Sequence, residues 1–468
     1  MKELSPEKRK KLYDNLGKSI LEFHSMMPLY LVASEQCSHP VYKVILRCGY
    51  TILYSITDIS SLFRAEMREP VIIGKRFGIV KLKIAVSEVF KAIVGTNFDD
   101  SKALYSQIRT SIETDYTNEC LGIDKSIVDF RENYWTKQVK DARDVAEHFS
   151  DKPYEYYQLI LSADEDLEAK RINAILAIIQ PLFAIISKIV NRENLLANVD
   201  SKEVLNYSGS FAPILENLTV DSRYDELGKL MTKEAANLDK FAYNFNLPKV
   251  IEEKFGSFEL NESIQYMLQL CELMMHLEFV RLDTAYTYRA ICSSELPVEQ
   301  RLNLRLMYKT NHEGFKKLYG FKDDKSGTIW GTKIEPQMQG YGDVIRKEYE
   351  SIKLSLNLLS RQTGINDEHL VVVLTHLRKN KNKDYISDAL IELGNLNLRN
   401  IMGTSILFLN VLNKIINLTQ MMLPEIKKRD EELHQRDMDK LFRPMYDLID
   451  KIKGSDMDDA NKKNLSIC

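Results

Sequence analysis

Two stretches of this chain, 225 residues apart, read as copies of one another. Residues 75–101, "KRFGIVKLKIAVSEVFKAIVGTNFDDS", lie without a gap on residues 300–326, "QRLNLRLMYKTNHEGFKKLYGFKDDKS". The alignment sets Arg76 on Arg301, Glu88 on Glu313, Phe90 on Phe315, Gly95 on Gly320 and Asp99 on Asp324. The same offset, carried upstream, sets Asp58 on Asp283 and Arg64-Ala65 on Arg289-Ala290, and downstream it lays Tyr105 over Trp330. At an offset of 226, "IISKIVN" (185–191) lies on "VLNKIIN" (411–417). Any two amphipathic helices share an apolar period and can be slid until some letters agree. Gly95/Gly320 and Asp58/Asp283 are not periodic core positions, however, so the persistent offset argues for an internal duplication.

The repeated unit is helical. Gly (19) and Pro (12) are sparse in the 468 residues, and apolar residues recur at three- and four-residue steps through 8–34, 41–66, 76–95, 130–149, 155–190, 222–245, 260–291, 300–319, 341–361, 368–377, 385–421 and 425–453. No sustained period-2 run interrupts them, and the fold class expected is all-α, two related multi-helix bundles in tandem. The expected boundaries are a first bundle at 1–195, a linker and connecting helix at 196–259 where Asn, Ser, Gly and Asp cluster, a second bundle at 260–424, and a charged helix with a polar tail at 425–468. Ser5-Pro6-Glu7 has the form of an N-cap, a first-turn proline and an acidic first turn, which starts a helix and not an export signal. The apolar stretch "INAILAIIQPLFAIISKIV" (172–190) is broken by Asn173, Gln180, Pro181 and Lys188; it is read as a core helix kinked near Pro181 and not as a membrane span. A cytoplasmic protein without membrane contact is the expectation.

Charge and cysteine usage narrow the function classes. Lys+Arg 64 against Asp+Glu 67 leaves a net charge of -3, so any nucleic-acid contact has to be local. The six Cys form no C-x-x-C pair and no Cys/His cluster at zinc spacing, which predicts free thiols and no metal. Phosphate-cradling glycine loops, nucleophile elbows and dinucleotide fingerprints are missing from the sequence, and no cofactor is expected. The repeated acids Asp58/Asp283 and Glu88/Glu313 are read as ion-pair partners of the repeated Arg64/Arg289 and Arg76/Arg301 rather than as metal ligands.

One local pattern carries chemistry. In "ARDVAEHFSD" (142–151), Arg143 precedes His148 by five positions, framed by the small and apolar Ala142, Val145, Ala146 and Phe149. Asp144 and His148 are four apart, a spacing at which the carboxylate can hold the imidazole tautomer; equally, Arg143 and Glu147 can form a plain surface ion pair. Five residues turn an α-helix through about 140°, so Arg143 and His148 converge only on a second surface laid across them. The chain's other Arg-then-His pairs carry less: Arg429/His434 lies in a charge run, and Arg305/His312 meets Val80 and Ser87 in the first copy.

The letters "RDVAEHF" on a late helix of a bundle resemble the signature of the HEPN superfamily, helical domains many of which are metal-independent endoribonucleases. The resemblance implies that two such domains pair so that both motif helices line one cleft, and a tandem copy in one chain is similar to a fused pseudo-dimer. It further implies that Arg143 binds the scissile phosphate and that His148 acts as general acid or base on the ribose 2′-hydroxyl or the leaving oxygen, with Asp144 in support. The second copy departs from the pattern. Aligning "THLRKNKNKDY" places His376 over His148, but Val371 stands at the Arg position and Arg378 follows the His. His376 and the basic run Arg378, Lys379, Lys381 and Lys383 are then expected to support substrate binding as a phosphate-contacting patch. The expected activity is that of a ribonuclease of toxin or phage-defence type acting on RNA. The rival expectation is a non-catalytic helical scaffold that binds a protein or nucleic-acid partner between its repeats, and a homo-oligomer is compatible with both.

Overall fold

The computed structural model describes residues 5–95, 103–146, 153–207, 222–255, 262–321, 325–375, 378–380, 383–384 and 386–453. Its helices are α1 (Pro6–Gln36), α2 (Pro40–Arg68), α3 (Ile72–Ile93), α4 (Leu104–Glu113), α5 (Thr117–Asn133), α6 (Lys137–Ala146), α7 (Pro153–Leu161), α8 (Glu165–Arg192) and the short α9 (Ser201–Leu205). They continue with α10 (Ser222–Phe255), α11 (Glu262–Cys292), α12 (Pro297–Leu318), α13 (Asp343–Leu359), α14 (Glu368–Thr375), α15 (Ile386–Asn395) and α16 (Leu398–Lys453). A π turn (Trp330–Ile334) and a 3-10 turn (Glu335–Gly340) fill the interval between α12 and α13. Two short antiparallel segments, β1 (Arg378–Asn380) and β2 (Lys383–Asp384), pair between α14 and α15. The fold is all-α.

Local signals set several helix ends. Ser5 Oγ accepts from the Lys8 N–H and Pro6 occupies the first turn, so α1 starts where the sequence said it should. Asp164 Oδ1 accepts from the Leu167 N–H at 2.7 Å, an N-cap that separates α7 from α8 within the single helix expected over 155–190. Helices α3 and α12 both stop at a glycine with positive φ, Gly95 at 88° and Gly320 at 74°. Their N–H groups donate to Phe90 O at 3.1 Å and Phe315 O at 3.0 Å, so each glycine closes its helix in the left-handed conformation that a side chain would strain. Pro424 produces no break, and the two helices expected at 385–421 and 425–453 are instead α15 and one long α16.

The two halves list the same neighbours. α1 lies along α2 as α10 lies along α11; α2 packs on α3 as α11 packs on α12; α5 packs on α8 as α13 packs on α16; and α6 sits on α3 as α14 sits on α12. α3 and α12 have 22 residues each, and α5 and α13 have 17 each. Between the halves the partners are exchanged: α2 meets α12 while α3 meets α11, and α1 meets α12 while α10 meets α3. The helix expected to connect two bundles therefore occupies in the second half the place of α1 in the first. Helices α8 and α16 (to Met422) are each long and apolar enough to cross a membrane, yet Ile175, Ile179, Leu182 and Ile186 of α8, and Phe408, Leu412 and Ile415 of α16, are buried against their bundles.

Candidate functional site

The seam between the halves is polar, and its charges cross it in pairs. At one end, the Arg64 guanidinium leaves α2 and reaches the α11–α12 turn, where Nη2 donates to Glu295 Oε2 at 2.7 Å and Nε lies 3.0 Å from Glu299 Oε1. Arg68 Nη1 donates to Glu299 Oε2 at 2.9 Å and to Tyr13 Oη at 2.8 Å. At the other end, Arg289 leaves α11 and grips Glu69 at the α2–α3 turn, Nε to Oε2 and Nη2 to Oε1, both at 3.0 Å. Each glutamate also braces its own turn: Glu69 accepts from the Val71 N–H, and Glu299 accepts from the N–H groups of Glu295 and Leu296. Each arginine is stacked on a tyrosine of the outer helix, Arg64 on Tyr13 at 4.1 Å and Arg289 on Tyr224 at 3.8 Å. A glycine one turn further, Gly17 or Gly228, makes room for the guanidinium, because a Cβ at either position would overlap it.

Further along the seam the exchange repeats with other residues. Arg305 of α12 donates to Tyr54 Oη at 2.7 Å and Asp58 Oδ1 at 2.6 Å, and Lys81 of α3 lies 2.8 Å from Asp283 Oδ1. The repeated Asp58 and Asp283 do form ion pairs, but with a cation of the opposite half in place of Arg64/Arg289 or Arg76/Arg301, while Glu88 pairs with Lys91 on its own helix. Burial alone would lower the Arg305 pKa; Asp58 and Tyr54 together raise it, and the guanidinium stays charged. These groups border a cavity of about 50 Å³ that Lys309, Glu88 and, from the far side, Val373, Leu374, Ile386 and Ala389 of α14 and α15 also line. It has room for a little water and not for a nucleotide. Among the described residues no three His, Cys, Asp or Glu side chains converge as a metal site. His312 is a core residue: its Nδ1 lies 2.9 Å from Ile365 O and its ring packs on Phe321.

The motif residues fall at the edges of what is described. Arg143 stands on α6, Asp144 is exposed on the same helix, and His148 lies outside the described residues. His376 and Lys381 lie outside them as well, and Arg378, Lys379 and Lys383 have their backbones in β1 and β2. α6 ends on the buried Ala146, and α7 then packs across the seam, with the Tyr156 ring 4.5 Å from Phe279 of α11. In the second half, α14 ends at Thr375 just past Val373 and Leu374, which line the seam cavity.

The structure also brings together a pair that the sequence reading passed over. "YDNLG" (13–17) in α1 and "YDELG" (224–228) in α10 match at an offset of 211, and their Tyr and Gly are the residues that hold Arg64 and Arg289. The shorter offset hid the match from an alignment held at 225. Family models, curated proteins and solved structures, compared with this chain, return no match.

Proposed function

We propose that the chain is an internally duplicated, HEPN-like pseudo-dimer that cleaves RNA without a metal, with Arg143 and His148 acting against a surface of the second half. The observation that carries this reading is that described residues on the flanks of both motif segments lie at the seam: Tyr156, eight positions after His148, packs on Phe279, while Val373 and Leu374, just before His376, line the seam cavity. On this reading the second half is the second surface that the Arg-to-His spacing demands. His148 takes the proton of the ribose 2′-hydroxyl, the 2′-oxygen attacks phosphorus, and the 5′-oxygen leaves and is protonated, giving a 2′,3′-cyclic phosphate and a 5′-hydroxyl. Arg143 contacts the phosphate oxygens as their charge builds, and a guanidinium suits that task because it is planar, bidentate and always charged. Arg378, Lys379 and Lys383 add cations beyond the α14 end.

The test is RNA cleavage in EDTA by the wild-type chain, by His148→Ala and by Arg143→Ala, with circular dichroism to show that the variants fold. A fall of about a hundredfold or more in each variant supports the assignment. Equal activity in all three, or none in the wild type, overturns it. A second reading, a non-catalytic scaffold, is favoured by one observation: the charges along the seam satisfy one another and leave only about 50 Å³ between them. On that reading the wild type cleaves nothing and retains a partner in pull-down that the Arg143→Ala chain retains equally.

A further inference from the structure

Away from the seam, the second half holds a hollow of about 480 Å³ between the 330–340 turns, the last turns of α13 and the segment that follows α12. That volume is in the range of small-molecule sites and some tenfold larger than the seam cavity. Its described walls carry three cations, Lys325, Lys353 and Arg361, against one carboxylate, Glu335. Glu335 is already held by Lys353 Nζ and Tyr349 Oη, each at 2.9 Å, so it is tied to the wall. Lys325 is held in place too, its ammonium 4.0 Å above the Tyr319 ring and donating to Gly320 O at 3.1 Å. Arg361 differs: its side chain is exposed and its guanidinium has no partner among the described residues.

The other walls suit a flat ring. Phe321 is half-buried, its ring tilted against Phe315 and His312, and it lines the hollow. Trp330 is fully buried beneath, stacked on Tyr349 at 5.0 Å, and its indole N–H is without a partner among the described residues. Asn357 accepts from Tyr319 Oη at its amide oxygen, which leaves its NH₂ to donate.

We infer that this hollow binds a mononucleotide, with the phosphate between Arg361, Lys353 and Lys325 and the base against Phe321. Guanidinium and ammonium groups recognise phosphate, and aromatic faces accept any base by stacking. The site is independent of the proposed cleavage chemistry, and its test does not read activity. The chain contains two Trp, so Trp135→Phe leaves Trp330 as the single indole and its fluorescence as a reporter on the floor of the hollow. Titrated with AMP, that protein should show a saturable change in emission, while adenosine and inorganic phosphate should each bind at least about tenfold more weakly. Arg361→Ala, a substitution on the surface, should raise the AMP Kd about tenfold and leave the thermal midpoint where it was. Three outcomes overturn the inference: no saturable response to AMP at millimolar concentration, an Arg361→Ala protein that binds AMP as the parent does, or inorganic phosphate bound as tightly as AMP.

Discussion

At the scale of single residues, the seam holds two kinds of buried charge, and they should respond differently to change. Arg289 and Glu69 are both buried and pair through two hydrogen bonds, so removing the arginine strands a carboxylate away from water. Arg289→Met should cost about 3–5 kcal/mol in chemical denaturation, while the double change Arg289→Met, Glu69→Gln should recover part of it. A double variant no more stable than the single one would show that the pair is not what the arginine supplies. Glu66 is the opposite case. It is fully buried, neither carboxyl oxygen has a hydrogen-bond partner among the described residues, and Lys75 stands no nearer than 4.0 Å. Burial raises its pKa to about 7, the Glu165 carboxylate adds to the rise, and Lys75 and Arg9 oppose it. The folded state therefore keeps a proton that the unfolded chain releases above its ordinary value of 4.5, and stability falls as pH climbs from there to about 7. The whole effect is on the order of 3 kcal/mol. In Glu66→Gln the urea midpoint at about pH 8 should rise relative to wild type, with little difference near pH 5. Parallel pH profiles for the two proteins would sink this account.

At the scale of elements, a helix must be able to approach its neighbour, and Gly17 and Gly228 are where α1 and α10 do so. Gly to Ala within a helix ordinarily stabilises by about 1 kcal/mol. At Gly228 the added Cβ would meet Arg289, which cannot swing aside without leaving both Glu69 and the Tyr224 ring. The ion pair outweighs the propensity gain, so Gly228→Ala should destabilise by about 2 kcal/mol; a stabilised protein would mean that the guanidinium finds another seat. The same elements show what could be read in advance. α1, α2, α3, α11 and α12 follow from uninterrupted apolar periods and from caps such as Ser5, because packing on one face dictates that spacing. The breaks inside 155–190 and 385–421 were missed, since Asp164 and the 396–397 junction are one or two polar letters in otherwise periodic runs. α4 and α5 do not stand out in the sequence because each buries only four residues, Leu104, Tyr105, Ile108 and Ile112 in one and Cys120, Ile123, Ile127 and Phe130 in the other. The seam pairs were legible in kind but not in partner. Composition says that Asp58 and Asp283 will find cations, whereas only the crossing of α2 with α12 and of α3 with α11 selects Arg305 and Lys81.

At the scale of the whole molecule, the reciprocal contacts decide whether the halves are two folding units or one. Separate units would meet through an interface that tolerates water, as domain contacts within a chain often do. Here α2, α3, α11 and α12 present Tyr54, Tyr286, Phe279 and Phe77 to a common core, and Arg64, Arg68, Arg289 and Arg305 find their carboxylates across the seam. Parting the halves would expose that core and unpair those charges at once, a cost that neither half can meet alone. Each half contains one natural reporter: Trp135, packed on Phe90 at 4.7 Å in the first, and Trp330, stacked on Tyr349 in the second. Guanidinium unfolding of Trp135→Phe and Trp330→Phe proteins, each followed by its remaining indole and by circular dichroism, should give coincident transitions within each protein. A stable half that outlived the other would separate the indole signal from the helical signal in at least one of them, and the two halves would then be separate domains in contact. Glu69→Gln sharpens the comparison, because a seam that binds the halves into one unit must lower the Trp135 and Trp330 midpoints together.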